Sequence, residues 1–192
     1  CKAMYNATLS HNLREIHIAE NIYNNLIVTK ANELAQAGHN LTLVEGKVVE
    51  YCISTVFKGQ EVTSNDVFEV DVNTLADMFG INRTQAYTEV KKMLLDLLTK
   101  VVTLEVAGEK LHFQWLSVLR SNDAKNGLLI QFNPVVCTML SPVRLNKGRF
   151  TAYPLENIAM FKHRFTLPLY NLIKSNCYDG NKFTTRIGVE EL

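Results

Sequence analysis

No stretch of the 192 residues stays apolar for the roughly 20 positions that a bilayer-spanning helix needs. Asn, His and Glu interrupt the first 25 residues so often that no signal-peptide core can form there, and no membrane partner is expected. Tryptophan occurs once, proline four times and cysteine four times. The cysteines stand at 1, 52, 137 and 177, without a CxxC pair and without a histidine at ligand spacing. That excludes the usual zinc and disulfide frameworks, so neither metal nor cofactor is expected. Cys52, among Val48, Val49, Tyr51 and Ile53, has the setting of a buried thiol, which fits a reducing, cytoplasmic compartment. Also missing are the GxGxxG and Walker phosphate loops, HExxH and GxSxG. His11, His17, His39, His112 and His163 are scattered, with no acid or nucleophile at a telling spacing. Glu190 and Glu191 read as the dipole-favoured first turn of a helix rather than as paired catalytic acids. Nothing argues for an enzyme.

What is present is the composition of an ordinary globular protein, 47% hydrophobic and 20% charged. The length suits one medium domain or one and a half small ones. The chain opens on Cys1 rather than Met and closes on VEEL, so a fragment cut at both ends is expected. Its net charge of +1 hides an asymmetry. Residues 1–140 hold 12 Lys/Arg against 15 Asp/Glu, whereas residues 141–192 hold 8 against 4. A basic end on a slightly acidic body suggests a polyanionic partner near that end, although chance surface variation produces such a bias as readily.

Periodicity divides the chain into short elements. Residues 10–24 form an amphipathic pattern with Leu13, Ile16 and Tyr23. Residues 26–38 read as an extended piece entering a helical turn that Gly38 ends. Asn40 or Thr42 can cap a helix over 42–57, with Leu43, Val48, Tyr51, Cys52 and Val56 near one face. After a polar loop, VFEVDV alternates as a strand, and Asn73 or Thr74 caps a helix through Phe79. Helix 83–99 follows the GIN turn, with Ala86, Val90, Met93, Leu94, Leu97 and Leu98 at steps of three and four. Residues 101–120 read as two strands joined at Ala107-Gly108, and 128–132 as a third. Pro134 suits the first turn of a short helix. SPVRLNKGRF, irregular and basic, marks a boundary. Beyond it, 153–160 and 167–175 read as helices, 182–187 as a strand, and GVEEL as a helix start.

Helix, strand, helix, turn, helix and β-hairpin is the order of a winged helix. The expected fold is therefore α+β, with helix 83–99 as the third helix and 101–120 as the wing. The expected organisation is a helical extension over 1–25, a first winged helix over 26–148, and the truncated start of a second over 149–192.

Residues 76–90, ADMFGINRTQAYTEV, would form the helix-turn-helix. Asn82, Arg83, Thr84 and Gln85 could meet base edges or phosphates from the start of the second helix, with Lys91 and Lys92 further along its polar side. Asp77 and Glu89 flank that stretch, so a packed corner without base readout fits equally well, and phosphate contact alone is the intermediate case. Two basic clusters lie further on: Arg144, Lys147 and Arg149, then Lys162, His163 and Arg164. They could track a DNA backbone or simply be solvated. Phe113 and Trp115 fall on one side of their strand and read as core.

Four blocks carry a family resemblance. LIVTKANELAQAGHNLTLVEGKVVEYCIS, FEVDVNTLADMFGINRTQAYTEVKKMLLDLL, RFTAYPLENIAMFKHRFTLPLYNLIKS and IGVEEL resemble, in order and spacing, successive segments of plasmid replication initiators of the iteron-binding type. The third block carries the likeness through Phe150, Thr151, Tyr153, Leu155, Leu169, Tyr170, Leu172 and Ile173. Gly46 departs from the family's usual Gln and is expected to weaken its helix, and Pro168 departs from Ala or Arg. The resemblance implies two winged helices in tandem, binding of repeated double-stranded origin DNA, and recruitment of host replication proteins. It also implies homodimers that pair through the first winged helix and repress the initiator's own gene. On that reading the first unit contributes phosphate contacts, and the main base-reading helix follows Leu192. A winged-helix transcription regulator, reading DNA through helix 83–99, and a protein-interaction winged helix are the alternatives.

Overall fold

The computed structural model describes residues 26–56, 61–106, 108–141 and 150–176. The expected helix over 10–24, the linker cations and the elements after 176 lie outside them. Strand β1 (Ile27–Ala31) runs into a single helical turn, α1 (Asn32–Ala35), and the two-residue strand β2 (Gly38–His39). Helix α2 (Leu43–Ser54) opens on a capping box: the Thr42 hydroxyl accepts from the Glu45 amide while the Glu45 carboxylate accepts from the Thr42 amide at 2.7 Å. The sequence suggested a helix with one apolar face, yet every residue from Glu45 to Ser54 is buried. The helix tolerates this because Glu45, Lys47 and Glu50 Oε1 all find partners, although Glu50 Oε2 finds none among the described residues.

Strand β3 is only Phe68–Glu69, shorter than the alternation of 67–72 suggested. Helix α3 (Val72–Phe79) starts early because Asp71, not Asn73 or Thr74, caps it, its carboxylate accepting from the amides of Asn73 and Thr74 at 2.9 and 3.1 Å. Gly80, at φ +68°, ends it in the left-handed conformation that favours glycine. Helix α4 (Ala86–Leu97) is shorter than expected, starting three residues later than 83. Its inner face, Ala86, Val90, Leu94 and Leu97, is buried.

The wing is not the hairpin that the sequence suggested. Residues 101–122 form three strands, β4 (Val101–Val106), β5 (Glu109–Gln114) and β6 (Leu116–Asn122), followed by β7 (Gly127–Phe132). The β4–β5 hairpin belongs to a sheet of order β2-β4-β5. Strand β3, which lies between α2 and α3 in the chain, pairs instead with β7, giving the order β3-β7-β6. The wing is therefore the β6–β7 hairpin, with residues 123–126 at its tip and Asn126 at φ +51°. Sequence distance concealed this, because β3 chooses its partner by burial: Phe68 packs at 5.4 Å on Phe132 and stands opposite Ile130.

Asn133 caps α5 (Pro134–Leu140), with Pro134 in its first turn as expected. Residues 150–154, part of which read as helical, form strand β8 (Phe150–Pro154), antiparallel to β1 from Ile27↔Pro154 to Ala31↔Phe150. Only the short α6 (Glu156–Ala159) remains of the expected helix 153–160, and α7 (Thr166–Asn176) completes the described chain. Pro168 falls in the first turn of α7, where a missing N–H is harmless. One core runs from Val28 through Val48, Leu94, Trp115 and Ile130 to Tyr153, Ile158 and Leu167. Gly46 is part of this packing: a Cβ there would stand 2.8 Å from Leu167 Cδ2, so the missing side chain lets α2 and α7 approach.

Candidate nucleic-acid interface

The helix-turn-helix corner is held by short local hydrogen bonds. Gly80 turns the chain, Ile81 N–H bonds back to the Ala76 carbonyl at 3.0 Å, and the Asn82 side chain accepts from the Thr84 amide at 3.0 Å. Asn82, Arg83, Thr84 and Gln85 are all exposed, but they sit in the turn before α4 rather than in its first helical turn. Gln85 is the N-cap and makes no side-chain cap bond.

Two cations of this corner are already engaged. Arg83 holds both carboxylate oxygens of Asp77, Nε–Oδ1 at 2.8 Å and Nη2–Oδ2 at 2.7 Å. Lys91 reaches across to the wing tip and meets Asp123 at 2.7 Å, and the Tyr87 hydroxyl donates to the same carboxylate. Hydrogen bonds from Lys91 and Tyr87 hold the Asp123 carboxyl below its ordinary value, and the Asp123 partner raises both Lys91 and Tyr87. Lys92 is exposed and makes no ion pair among the described residues. Between α3, the turn and the wing lies an open cleft of about 580 Å³, lined among others by Asn73, Arg83, Tyr87 and Lys125.

The second basic cluster has a different support. Lys162, His163 and Arg164 are exposed on the turn between α6 and α7, closed by the Thr166 amide donating to the His163 carbonyl at 3.0 Å. Arg164 lies over the Phe165 ring at 4.5 Å. The turn is gripped from beneath by Lys47 of α2, which donates to the carbonyls of Ala159 at 2.7 Å and Phe161 at 3.0 Å. Lys47 also stands 5.4 Å from the centre of the Phe79 ring, so one ammonium touches both the helix-turn-helix corner and the basic turn. Burial lowers its pKa. Arg149, the other site residue expected near this end, lies outside the described residues.

A buried polar seam joins the segment after 150 to the segment before 55. Lys30, only 1% exposed, is paired with Glu50. Asn171 of α7 donates to Glu50 at 3.1 Å, and the Tyr153 hydroxyl donates to Asn171 at 2.8 Å. At the edge of the seam Asn32 Nδ2 donates to the Ser175 carbonyl at 2.7 Å and Gln36 Nε2 to the Ser175 hydroxyl at 2.9 Å. Sequence reasoning missed Lys30, Lys47, Glu50, Lys125 and the Asp123 contact. Charged residues at helical or strand spacing look the same in sequence whether solvated or buried, and only the partner across the fold distinguishes them.

The order α2, β3, α3, α4 and a β6–β7 wing defines a winged helix. The family model for the initiator replication protein, WH1, matches residues 27–174, and the chain belongs to that family. A replication initiation protein of Escherichia coli is 27% identical over 150 residues, covering 76% of this chain. The chain spans 45% of that relative's length. An uncharacterised 27.6 kDa protein of Escherichia coli is 24% identical over 170 residues, 82% of this chain and 70% of that one. Among solved structures, the Pi initiator protein in complex with iteron DNA shares the fold, with a TM-score of 0.64 at 17% identity, over 82% of this chain and 67% of that chain. No helix among the described residues is long and apolar enough to cross a membrane.

Proposed function

We propose that this chain is part of a replication initiator that binds repeated double-stranded DNA at a plasmid origin without enzymatic action. The observation that carries the reading is the initiator family match over 27–174, which contains the exposed basic turn Lys162-His163-Arg164 held on Lys47. The fold shared with an initiator bound to iteron DNA supports the choice of ligand. Contacts from Lys162, His163, Arg164, Lys92 and Arg149 are to phosphates, which position the protein without reading sequence. Asn82, Thr84 and Gln85 approach the duplex from the helix-turn-helix corner, where Arg83 and Lys91 are screened by their acidic partners. Base reading belongs mainly to sequence following Leu192. Homodimers pair through a free sheet edge of the first winged helix and act as autorepressors, and host replication proteins join the complex at the origin.

The test is a titration of this chain, and of a longer chain continuing past Leu192, against repeat-containing and scrambled duplexes over a range of salt. The expected result is weak, salt-steep and sequence-blind binding by this chain, with specificity appearing only in the longer one. Strong sequence preference from this chain alone would transfer the reading to a regulator that reads bases through α4. Replacing Lys162 and Arg164 by Ala should lower the salt slope by about 0.9 for each phosphate no longer neutralised.

A further inference from the structure

We infer that Asp77 and Asp123 act as affinity-setting residues, holding Arg83 and Lys91 away from the DNA backbone and keeping the helix-turn-helix of the first unit a weak DNA binder. The inference rests on the DNA-binding reading above. Two separate interactions carry it. Arg83 turns its planar fork onto Asp77 in the two-bond geometry that it would offer a phosphate. Lys91, further along α4, is drawn to the wing tip by Asp123, which also takes the Tyr87 hydroxyl. Arg83 and Tyr87 line one cleft, between the start of α3, the turn and the wing, where a duplex backbone would have to run.

Neither pair is buried as a whole: side-chain exposure is 73% for Arg83 and 32% for Asp77, and 27% for Lys91 and 69% for Asp123, and pairs with one partner in solvent contribute little to stability. Their larger effect falls on an incoming polyanion. A phosphate must displace a carboxylate from each cation, and the displaced carboxylate stays beside it with like charge. Glu69 and Asp71 on the cleft wall add to that repulsion, against Lys125 on the wing side. The corner thus has the shape of a reading head while its two central cations are silent.

The test is fluorescence anisotropy of a labelled mixed-sequence duplex with the chain carrying Asp77→Asn, Asp123→Asn or both, across a salt series. The double variant should bind about tenfold tighter at low salt, and its log–log salt slope should steepen by about 0.9 for each phosphate newly met. Arg83→Ala and Lys91→Ala should barely change the parent's affinity, yet should erase the gain when combined with the Asn variants. Denaturation midpoints should stay where they are. No gain from the Asn variants, while Lys162→Ala/Arg164→Ala still weakens binding, overturns the inference and leaves the DNA-binding reading standing. A gain that persists without Arg83 and Lys91 overturns it as well, since it would then be a bulk charge effect. If no form binds any duplex, both proposals fall together.

Discussion

Lys30 is the residue whose sequence context says least about its role. In LIVTKAN it looks like an ordinary strand-end cation, yet it is buried against Glu50, whose Oε1 also accepts from Asn171 while its Oε2 has no partner among the described residues. Taking one partner away strands a charge in the core. Lys30→Met or Glu50→Gln should therefore lower stability by about 3–5 kcal/mol, whereas the joint replacement Lys30→Met/Glu50→Leu should recover much of it. Urea unfolding of the three variants checks this; a joint loss equal to the sum of the two single losses would show that the pair is not coupled. Glu45 gives a pH prediction. Burial alone would raise its pKa, but the hydrogen bonds from Lys100 and Thr42, with the Lys100 charge, outweigh it and the carboxyl titrates below its ordinary 4.5. A carboxyl depressed in the folded state adds stability above its unfolded value and loses it as pH falls through the folded one. Thermal unfolding of Glu45→Gln should show a deficit at neutral pH that closes below about pH 4.5. A deficit unchanged at acid pH would exclude the ion pair as its source.

Among the elements, α3 and its ends are the most completely explained by local chemistry. Asp71 supplies partners for the orphan amides at the start and Gly80 the left-handed exit. Gly80→Ala should cost about 1 kcal/mol, since nothing crowds the position and only backbone strain opposes the methyl. Asp71→Ala should cost about 0.5–2 kcal/mol. Urea midpoints check both, and a stabilised Gly80→Ala protein would mean that the turn relaxes out of φ +68°. Thr42 as one of two candidate caps of α2, the glycine turn after Phe79, the proline-led α5 and the amphipathic α4 were legible because each is written within a few consecutive residues. Asp71 was passed over for its neighbours because three nearby residues, Asp71, Asn73 and Thr74, all have capping chemistry. The wing was misplaced because two hairpins follow α4, and nothing local says which of them β3 will join.

At the scale of the whole molecule, strand β8 returns to β1, so residues 150–154 share a sheet with 27–31 across the basic boundary at 141–150. The polar seam and the Gly46–Leu167 approach tie α7 to α2 in the same way. Free edges then become the surfaces open to a second copy. Among the described residues β5 pairs with β4 alone, and it carries Leu111 at 41% exposure. Edge strands of this kind invite pairing, so the proposed dimer should use β5. Sedimentation velocity at tens of micromolar, the range of micromolar affinities, should show a dimer that Leu111→Lys converts to monomer. A monomeric parent protein would remove the dimer claim.

Sequence alone determined the class of most elements and some of their caps, because caps, glycine turns and helical periodicity depend on neighbours within about five residues. It also carried the initiator resemblance, since motif order and spacing survive without knowledge of contacts. Only the tertiary structure decided which hairpin is the wing, which charges are buried and which surface cations are already paired. Those three depend on partners brought together from far along the chain: β3 with β7, Lys30 with Glu50, and Lys91 with Asp123. No local pattern encodes them, because each is settled by burial and by electrostatics acting across the folded molecule.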